Sequence, residues 1–195
     1  METTIRDALP QDAARFLEIY SYYVTETAVS FEYEPPTIAQ FQSRMRETAA
    51  RYPYLAAERG GEIIGYACAH PFVGRRAYDR SAELTIYLDK SYTRTGAGKL
   101  LYGELEKRLV RMGITNVYAC IGVPETDDEY LTHNSLDFHE HMGFRSVGVF
   151  RRCGRKFGRW YDMVWAEKII APHSDSPDEV AFGSQSPCVW QQPGV

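Results

Sequence analysis

Leu88-Asp89-Lys90-Ser91-Tyr92-Thr93-Arg94-Thr95-Gly96-Ala97-Gly98-Lys99-Leu100-Leu101-Tyr102 carries the deciding pattern of this chain of 195 residues. Leu88 ends an alternating stretch, a loop with two glycines follows, and Gly98 starts an amphipathic run. A strand–loop–helix unit of this kind exposes unpaired N–H groups and the positive end of a helix dipole. Gly96 and Gly98 let the main chain approach a ligand without a Cβ in the way. Two glycines at a helix start are often a plain turn, but Arg94 and Lys99 add positive charge, and the stretch 94–99, including Thr95 and Ala97, is expected to cradle a pyrophosphate. Leu100 after Gly98-Lys99 excludes a P-loop, and Lys99-Leu100-Leu101 after Gly98 excludes the GxGxxG dinucleotide fingerprint.

The reading extends outward from there. Ala82, Leu84, Ile86 and Leu88 alternate with Glu83, Thr85 and Tyr87, so a strand over 82–88 turns the two sets to opposite faces. Leu101, Leu105, Leu109 and Met112 form the buried stripe of a helix over 98–112, which Gly113 ends. Apolar runs at 55–58 and 63–70 around Gly60-Gly61 predict a β-hairpin. A strand over 3–7 comes first. Pro10-Gln11-Asp12 then opens one helix, and Thr37 caps a second. After Gly113 the pattern predicts a strand over 116–121, an acidic loop, a short helix over 134–142, and paired strands near 146–152 and 160–169. The order β-α-α-β-β-β-α-β-α-β-β implies one α/β domain over 1–171, with a single mixed sheet flanked by helices. Residues 172–195 lack periodicity and are rich in Ser, Pro, Gln, Gly and Asp, so they are expected as a flexible tail outside the fold.

A net charge of −4 argues against non-specific nucleic-acid binding. No apolar run reaches the length of a membrane span, and Met1-Glu2-Thr3-Thr4 does not begin a signal peptide. No two of Cys68, Cys120, Cys153 and Cys188 are close in sequence, so neither a metal site nor a CxxC redox pair is expected. Three of them lie in apolar or strand-like contexts and read as small buried residues. These features suit a reducing cytoplasm. A content of 14 tyrosines points to a well-filled core and an aromatic-lined cleft.

Two residues stand out as chemistry. Glu83 sits mid-strand, opposite the apolar face. In a half-buried cleft its pKa rises and suits it to take a proton from an ammonium; on a solvated face it is an ordinary surface carboxylate. His139 belongs to the short helix, where it either donates and accepts protons near neutral pH or simply packs. His139 and His141 point apart on a helix, which disfavours a metal pair.

Thr93-Arg94-Thr95-Gly96-Ala97-Gly98, between a strand and a helix, resembles the acyl-CoA signature Q/R-x-x-G-x-G/A of the GNAT acetyltransferases, with Thr93 where Gln or Arg is usual. Ser30-Phe31, Arg51-Tyr52-Pro53, Arg75, Ala77-Tyr78-Asp79, Ala82-Glu83, Thr85 and Tyr87 are similar to the phosphinothricin acetyltransferase branch. So are His139-Glu140, Gly143-Phe144 and Gly154-x-Lys156-x-Gly158-x-Trp160-x-Asp162. The resemblance spans residues 3 to about 170 and implies a GNAT fold with a splayed sheet. It implies acetyl-CoA as cosubstrate, with Ile86, Tyr87 and Leu88 along the pantetheine arm and a free N–H near Leu88 on the thioester oxygen. It further implies Glu83 as base, His139 as acid and a CoA contact at Asn134 or at Thr132, which stands at the usual seven-residue spacing before His139; Asn134 would otherwise serve as the N-cap of the short helix. Phe31, Arg75 and Tyr78 would stand near a small amino-acid-like amine, and a homodimer is expected. An aminoglycoside, a polyamine or a protein N-terminus are alternative acceptors. The rival classes are an acyl-CoA-binding module without turnover and a nucleotide hydrolase. The hydrolase lacks a Ser or Thr after Lys99 and a clear Mg²⁺ carboxylate.

Overall fold

A computed structural model describes residues 2–184. The elements are β1 (Thr3–Asp7), α1 (Ala13–Thr25), α2 (Ile38–Ala49), β2 (Tyr54–Arg59), β3 (Glu62–Pro71), β4 (Ser81–Leu88), α3 (Ala97–Met112), β5 (Asn116–Val123), α4 (Asn134–His141), β6 (Arg145–Lys156) and β7 (Arg159–Ile169). Apart from short 3-10 turns, this is the order expected from the sequence. One sheet holds all seven strands in the order β1-β2-β3-β4-β5-β7-β6.

Local chemistry sets the boundaries. Gly60 and Gly61 join β2 to β3 with φ of 61° and 83°, as a two-residue hairpin turn with both central residues left-handed requires. Thr37 accepts the Gln40 N–H while Gln40 Oε1 accepts the Thr37 N–H, a reciprocal cap at the start of α2. Losing such a cap costs about 1 kcal/mol.

The two faces of the sheet carry separate cores. On one, Phe16, Ile19 and Val24 of α1 and Phe41 and Met45 of α2 pack on Tyr54, Ala56, Tyr66 and Cys68, with Tyr87 at the margin. On the other, Leu101, Leu105, Leu109 and Met112 of α3 pack on Leu55, Ala67, Ala82, Leu84 and Val117. The three α3 leucines are fully buried, so truncating one to Ala removes about 2–5 kcal/mol of stability.

Every neighbouring pair of strands is antiparallel except β4 and β5. Those two run parallel and pair only over Ser81, Ala82 and Glu83 with Asn116, Val117 and Tyr118. Past Glu83 they part, and the sheet opens into a wedge.

Two expectations need correction. Residues 178–184 are not outside the fold: Val180 and Phe182 pack against the α3 core. Ala181 N–H donates to Met112 O, Gly183 N–H to Arg51 O, and Arg80 to Asp178 O. Phe182 lies edge-on to Tyr52 at 5.4 Å and under the Arg51 guanidinium at 4.3 Å. The rest of the expected tail, 185–195, is outside the described residues. Of the cysteines, Cys68 is buried but Cys120 and Cys153 are exposed, because β5 turns Cys120 to the wedge and Cys153 lies in an irregular part of the edge strand β6. Cys188 is outside the described residues.

Candidate active site

The wedge between β4 and β5 leads into a cavity of about 300 Å³ lined by residues of both strands, α3, α4 and the loop after α1. Its composition follows from β4. Asp89 N–H donates to Ile64 O, so residues 87, 85 and 83 exchange hydrogen bonds with β3 in the antiparallel alternation. The N–H groups of Ile86 and Leu88 therefore turn toward β5, which has already moved away. Tyr23 of α1 donates to Leu88 O at 2.5 Å and fixes this end of the strand.

The loop after β4 is pinned at its base. Asp89 accepts the Ser91 N–H at 2.8 Å and Arg15 Nη2 at 2.6 Å. Thr93 and Thr95 cap the carbonyls of Lys90 and Tyr92. Gly96 then takes φ of 86°, a left-handed conformation that a side chain rarely adopts. The first α3 amide to bond within the protein is that of Leu100, to Gly96 O. Among the described residues, the amides of Ala97, Gly98 and Lys99 have no protein partner, so the helix start offers three aligned donors to an anion. Arg94 and Lys99 are exposed beside them. Arg94 Nη2 donates to Asn134 Oδ1 at 3.0 Å, which brings the two separately expected CoA contacts together. Asn134 is the first residue of α4 rather than its cap, and its side chain is spent on Arg94. The unpaired amides, the adjacent cations and the open wedge fit a pyrophosphate followed by an extended arm.

Glu83 lines the cavity half-buried. Among the described residues its carboxylate has no hydrogen-bond or ion-pair partner, and burial alone pushes its pKa up. Opposite it on β3 stands His70, whose ring bonds Thr48 Oγ1 and Cys68 Sγ, each at 3.3 Å, and whose pKa burial pushes down.

His139 is 4% exposed at the rear of the cavity. Its Nδ1 lies 2.7 Å from Ser135 O, and a carbonyl only accepts, so the ring proton is on Nδ1. Nε2 is then a bare acceptor facing Tyr102 Oη at 3.0 Å. Burial lowers the His139 pKa, so the ring is neutral. Both ring nitrogens are thus engaged, Nδ1 by Ser135 O and Nε2 by the single hydroxyl proton of Tyr102. Tyr102 follows Leu101 in the α3 sequence and reads there as one more buried residue, so no sequence signal separated it from the core.

Phe31 lines the cavity as expected. It lies over Gly154 and Gly122, and a methyl at Gly154 would overlap its ring. Lys156, 2% exposed, holds the Phe31 loop by donating to Thr27 O at 2.8 Å and Ser30 O at 2.6 Å. Arg75 and Tyr78 do not line the cavity. Both are exposed at the 3-10 turn before β4, with the Tyr78 ring against Phe72. Periodicity cannot position a loop of this kind.

Comparison with known proteins agrees with this geometry. Residues 5–165 match the Acetyltransferase (GNAT) domain family. The chain is 33% identical over 174 residues to the phosphinothricin N-acetyltransferase of Streptomyces viridochromogenes, covering 89% of this chain and 91% of that one. It is 30% identical over 183 residues to the L-methionine sulfoximine/L-methionine sulfone acetyltransferase of Pseudomonas aeruginosa, covering 91% and 100%. The crystal structure of a GNAT superfamily phosphinothricin acetyltransferase from Sinorhizobium meliloti in complex with AcCoA superposes with a TM-score of 0.84 at 31% identity, covering 94% and 98%.

Proposed function

The chain belongs to the GNAT acetyltransferase family, and on that premise we propose that it transfers the acetyl group of acetyl-CoA to the amino group of a small amino-acid-like molecule. The observation that carries this reading is a desolvated, unpaired carboxylate, Glu83, in a cavity continuous with the wedge.

Acetyl-CoA supplies an activated thioester. The amides of Ala97, Gly98 and Lys99, with Arg94, bind its pyrophosphate, and the outward N–H groups of Ile86 and Leu88 bond its arm. An acceptor enters as an ammonium and must shed a proton before its lone pair can attack. Glu83 takes that proton, directly or through water. Leu88 N–H donates to the thioester oxygen as negative charge grows there. The carbon–nitrogen bond forms, the carbon–sulfur bond breaks, and the nitrogen releases its second proton. The departing thiolate takes up that second proton, while the Tyr102 hydroxyl, donating to His139 Nε2, holds the imidazole in place. The net change is one N-acetyl product, one free thiol and one proton. Transfer is direct, with no acyl group parked on the protein.

Relatives that acetylate phosphinothricin and methionine sulfoximine support an amino-acid-like acceptor. Val147, Val149, Phe150 and Trp160 are exposed on the C-terminal hairpin, which supports a homodimer joined through that face. The unpaired thiols of Cys68, Cys120 and Cys153 support a reducing, cytoplasmic setting.

The test is thiol release from acetyl-CoA across an amine panel, with wild type and Glu83→Gln. The expected result is acetylation of amino acids by the wild type and a loss of about 10²–10⁴ in kcat/KM for the variant, with acetyl-CoA affinity retained. The wild-type acidic limb should lie above the ordinary carboxylate range, since burial raises Glu83, and should vanish in the variant. Equal rates for both proteins would remove Glu83 from the mechanism.

A further inference from the structure

Beside the reaction cavity, on the α1 and α2 face of the sheet, lies a second cavity of about 200 Å³. Thr85 and Tyr87 line both, so the two chambers adjoin at residues two and four beyond Glu83 on β4. Its walls are rings braced on one another. Tyr66 lies 5.8 Å from Tyr54, 5.6 Å from Tyr87 and 6.3 Å from Phe41, centroid to centroid. Such a wall is preorganised and does not collapse when empty.

Apart from Arg44, the residues lining the chamber are uncharged. The thiol of Cys68 is pushed up to about 12 by burial, and His70 is held neutral by the same cause. Its one full charge, Arg44, is exposed and already bonds Glu32 Oε1 at 2.7 Å. A charged group brought inside would lose its water and meet no free counter-charge among the lining residues. An apolar sulfur or an arene would meet ring faces and edges.

We propose that this second chamber receives the side chain of the acceptor, and that it selects amino acids with an uncharged side chain of thioether or aromatic size over those with an anionic or cationic one. The inference builds on the acetyltransferase reading above and adds the acceptor class. The amino group then stands at Glu83 while the side chain passes Thr85 and Tyr87 toward Phe41 and Tyr66. Thr48, half-buried on α2 at the chamber's edge, is the position from which the space is most easily filled.

The experiment measures kcat/KM for L-methionine, L-phenylalanine, L-alanine, L-glutamate and L-lysine at saturating acetyl-CoA, for the full chain and for Thr48→Phe. Methionine and phenylalanine should exceed glutamate and lysine by about 10-fold or more in the wild type. Thr48→Phe should cut methionine and phenylalanine by about 10-fold and leave alanine within about 2-fold, because alanine does not reach the chamber. Retained acetyl-CoA affinity and an unshifted melting curve identify a folded variant. If that variant is misfolded, Phe41→Ala replaces it, and enlarging the chamber should shift preference toward longer side chains. Wild-type preference for glutamate or lysine overturns the proposal, as does an equal loss for alanine and methionine in the folded variant. No turnover of any amine by the wild type removes the acetyltransferase reading itself, and the acceptor class with it.

Discussion

Tyr102 Oη donates to His139 Nε2 at 3.0 Å, and the Nδ1 proton of the same ring is committed to Ser135 O. The phenol thus has one defined orientation at the rear of the cleft. Tyr102→Phe leaves Nε2 buried without a donor and frees the His139 ring to shift at the cavity wall. We expect kcat to fall by about 10²-fold with little change in the KM for acetyl-CoA. His139→Gln should cost a similar factor, and the double variant little more than either alone, because the two act as a unit. A Tyr102→Phe enzyme with wild-type kcat would contradict this.

The buried histidines also set a pH dependence of stability. Burial lowers the pKa of both His70 and His139. Between those depressed values and about 6.5, the unfolded chain binds more protons than the folded one, so stability rises with pH in that window. Read downward, it is lost as pH falls below about 6.5. Glu83 acts oppositely: its raised pKa favours the folded state below the unfolded carboxylate value, and that benefit fades as pH rises through the folded one. Urea midpoints at pH 5 and 7.5 should show a weaker fold at pH 5. The gap should narrow in His70→Gln.

At the start of α3, Arg94→Ala removes both a cation and the tie to Asn134. The KM for acetyl-CoA should rise about 10-fold, the worth of one hydrogen bond to a charged group, with kcat unchanged. At Gly98 an added Cβ would stand 3.1 Å from Phe138 of α4. Gly98→Ala should therefore weaken cosubstrate binding by pushing α4 away from the helix start.

Phe31 depends on the absence of a side chain at position 154. Gly154→Ala forces the ring out of its place and costs about 1–3 kcal/mol as overpacking. The KM for the acceptor should rise while that for acetyl-CoA holds. An unchanged acceptor KM would show that Phe31 does not shape the site.

Removing residues after 171 exposes the surface that Val180 and Phe182 cover. Phe182 is half-buried, so Phe182→Ala should cost about 1–2 kcal/mol, less than full burial of such a ring is worth. For a domain of this size that corresponds to a fall in Tm of about 2–8 °C, readable in a melting curve.

The strands and helices were legible where one period dominated. The alternation of 82–88 gave β4 and the orientation of Glu83, and the leucines at 101, 105 and 109 gave α3. Gly60-Gly61 gave the hairpin, and the loop over 94–99 gave a helix start with unpaired amides. Legibility failed where a residue's surroundings come from distant parts of the chain. Cys120 lies on an apolar strand, and only the parting of β4 from β5 exposes it. Tyr102 meets its hydrogen-bond partner, a histidine, from another helix. Arg75 and Tyr78 lie on a loop with no period to orient them. Phe182 is a single ring in a polar segment, and nothing local announces that Tyr52 waits for it.

The docking of 178–184 has a consequence during synthesis. A nascent chain can close its sheet once β7 has left the ribosome, but Ala181 and Gly183 reach Met112 and Arg51 only after that. The segment seals a sheet that has already closed. A chain cut short by premature termination or clipping would keep its sheet yet show Tyr52 and the end of α3 to solvent, the kind of apolar surface by which chaperones and proteases sort unfinished molecules from finished ones.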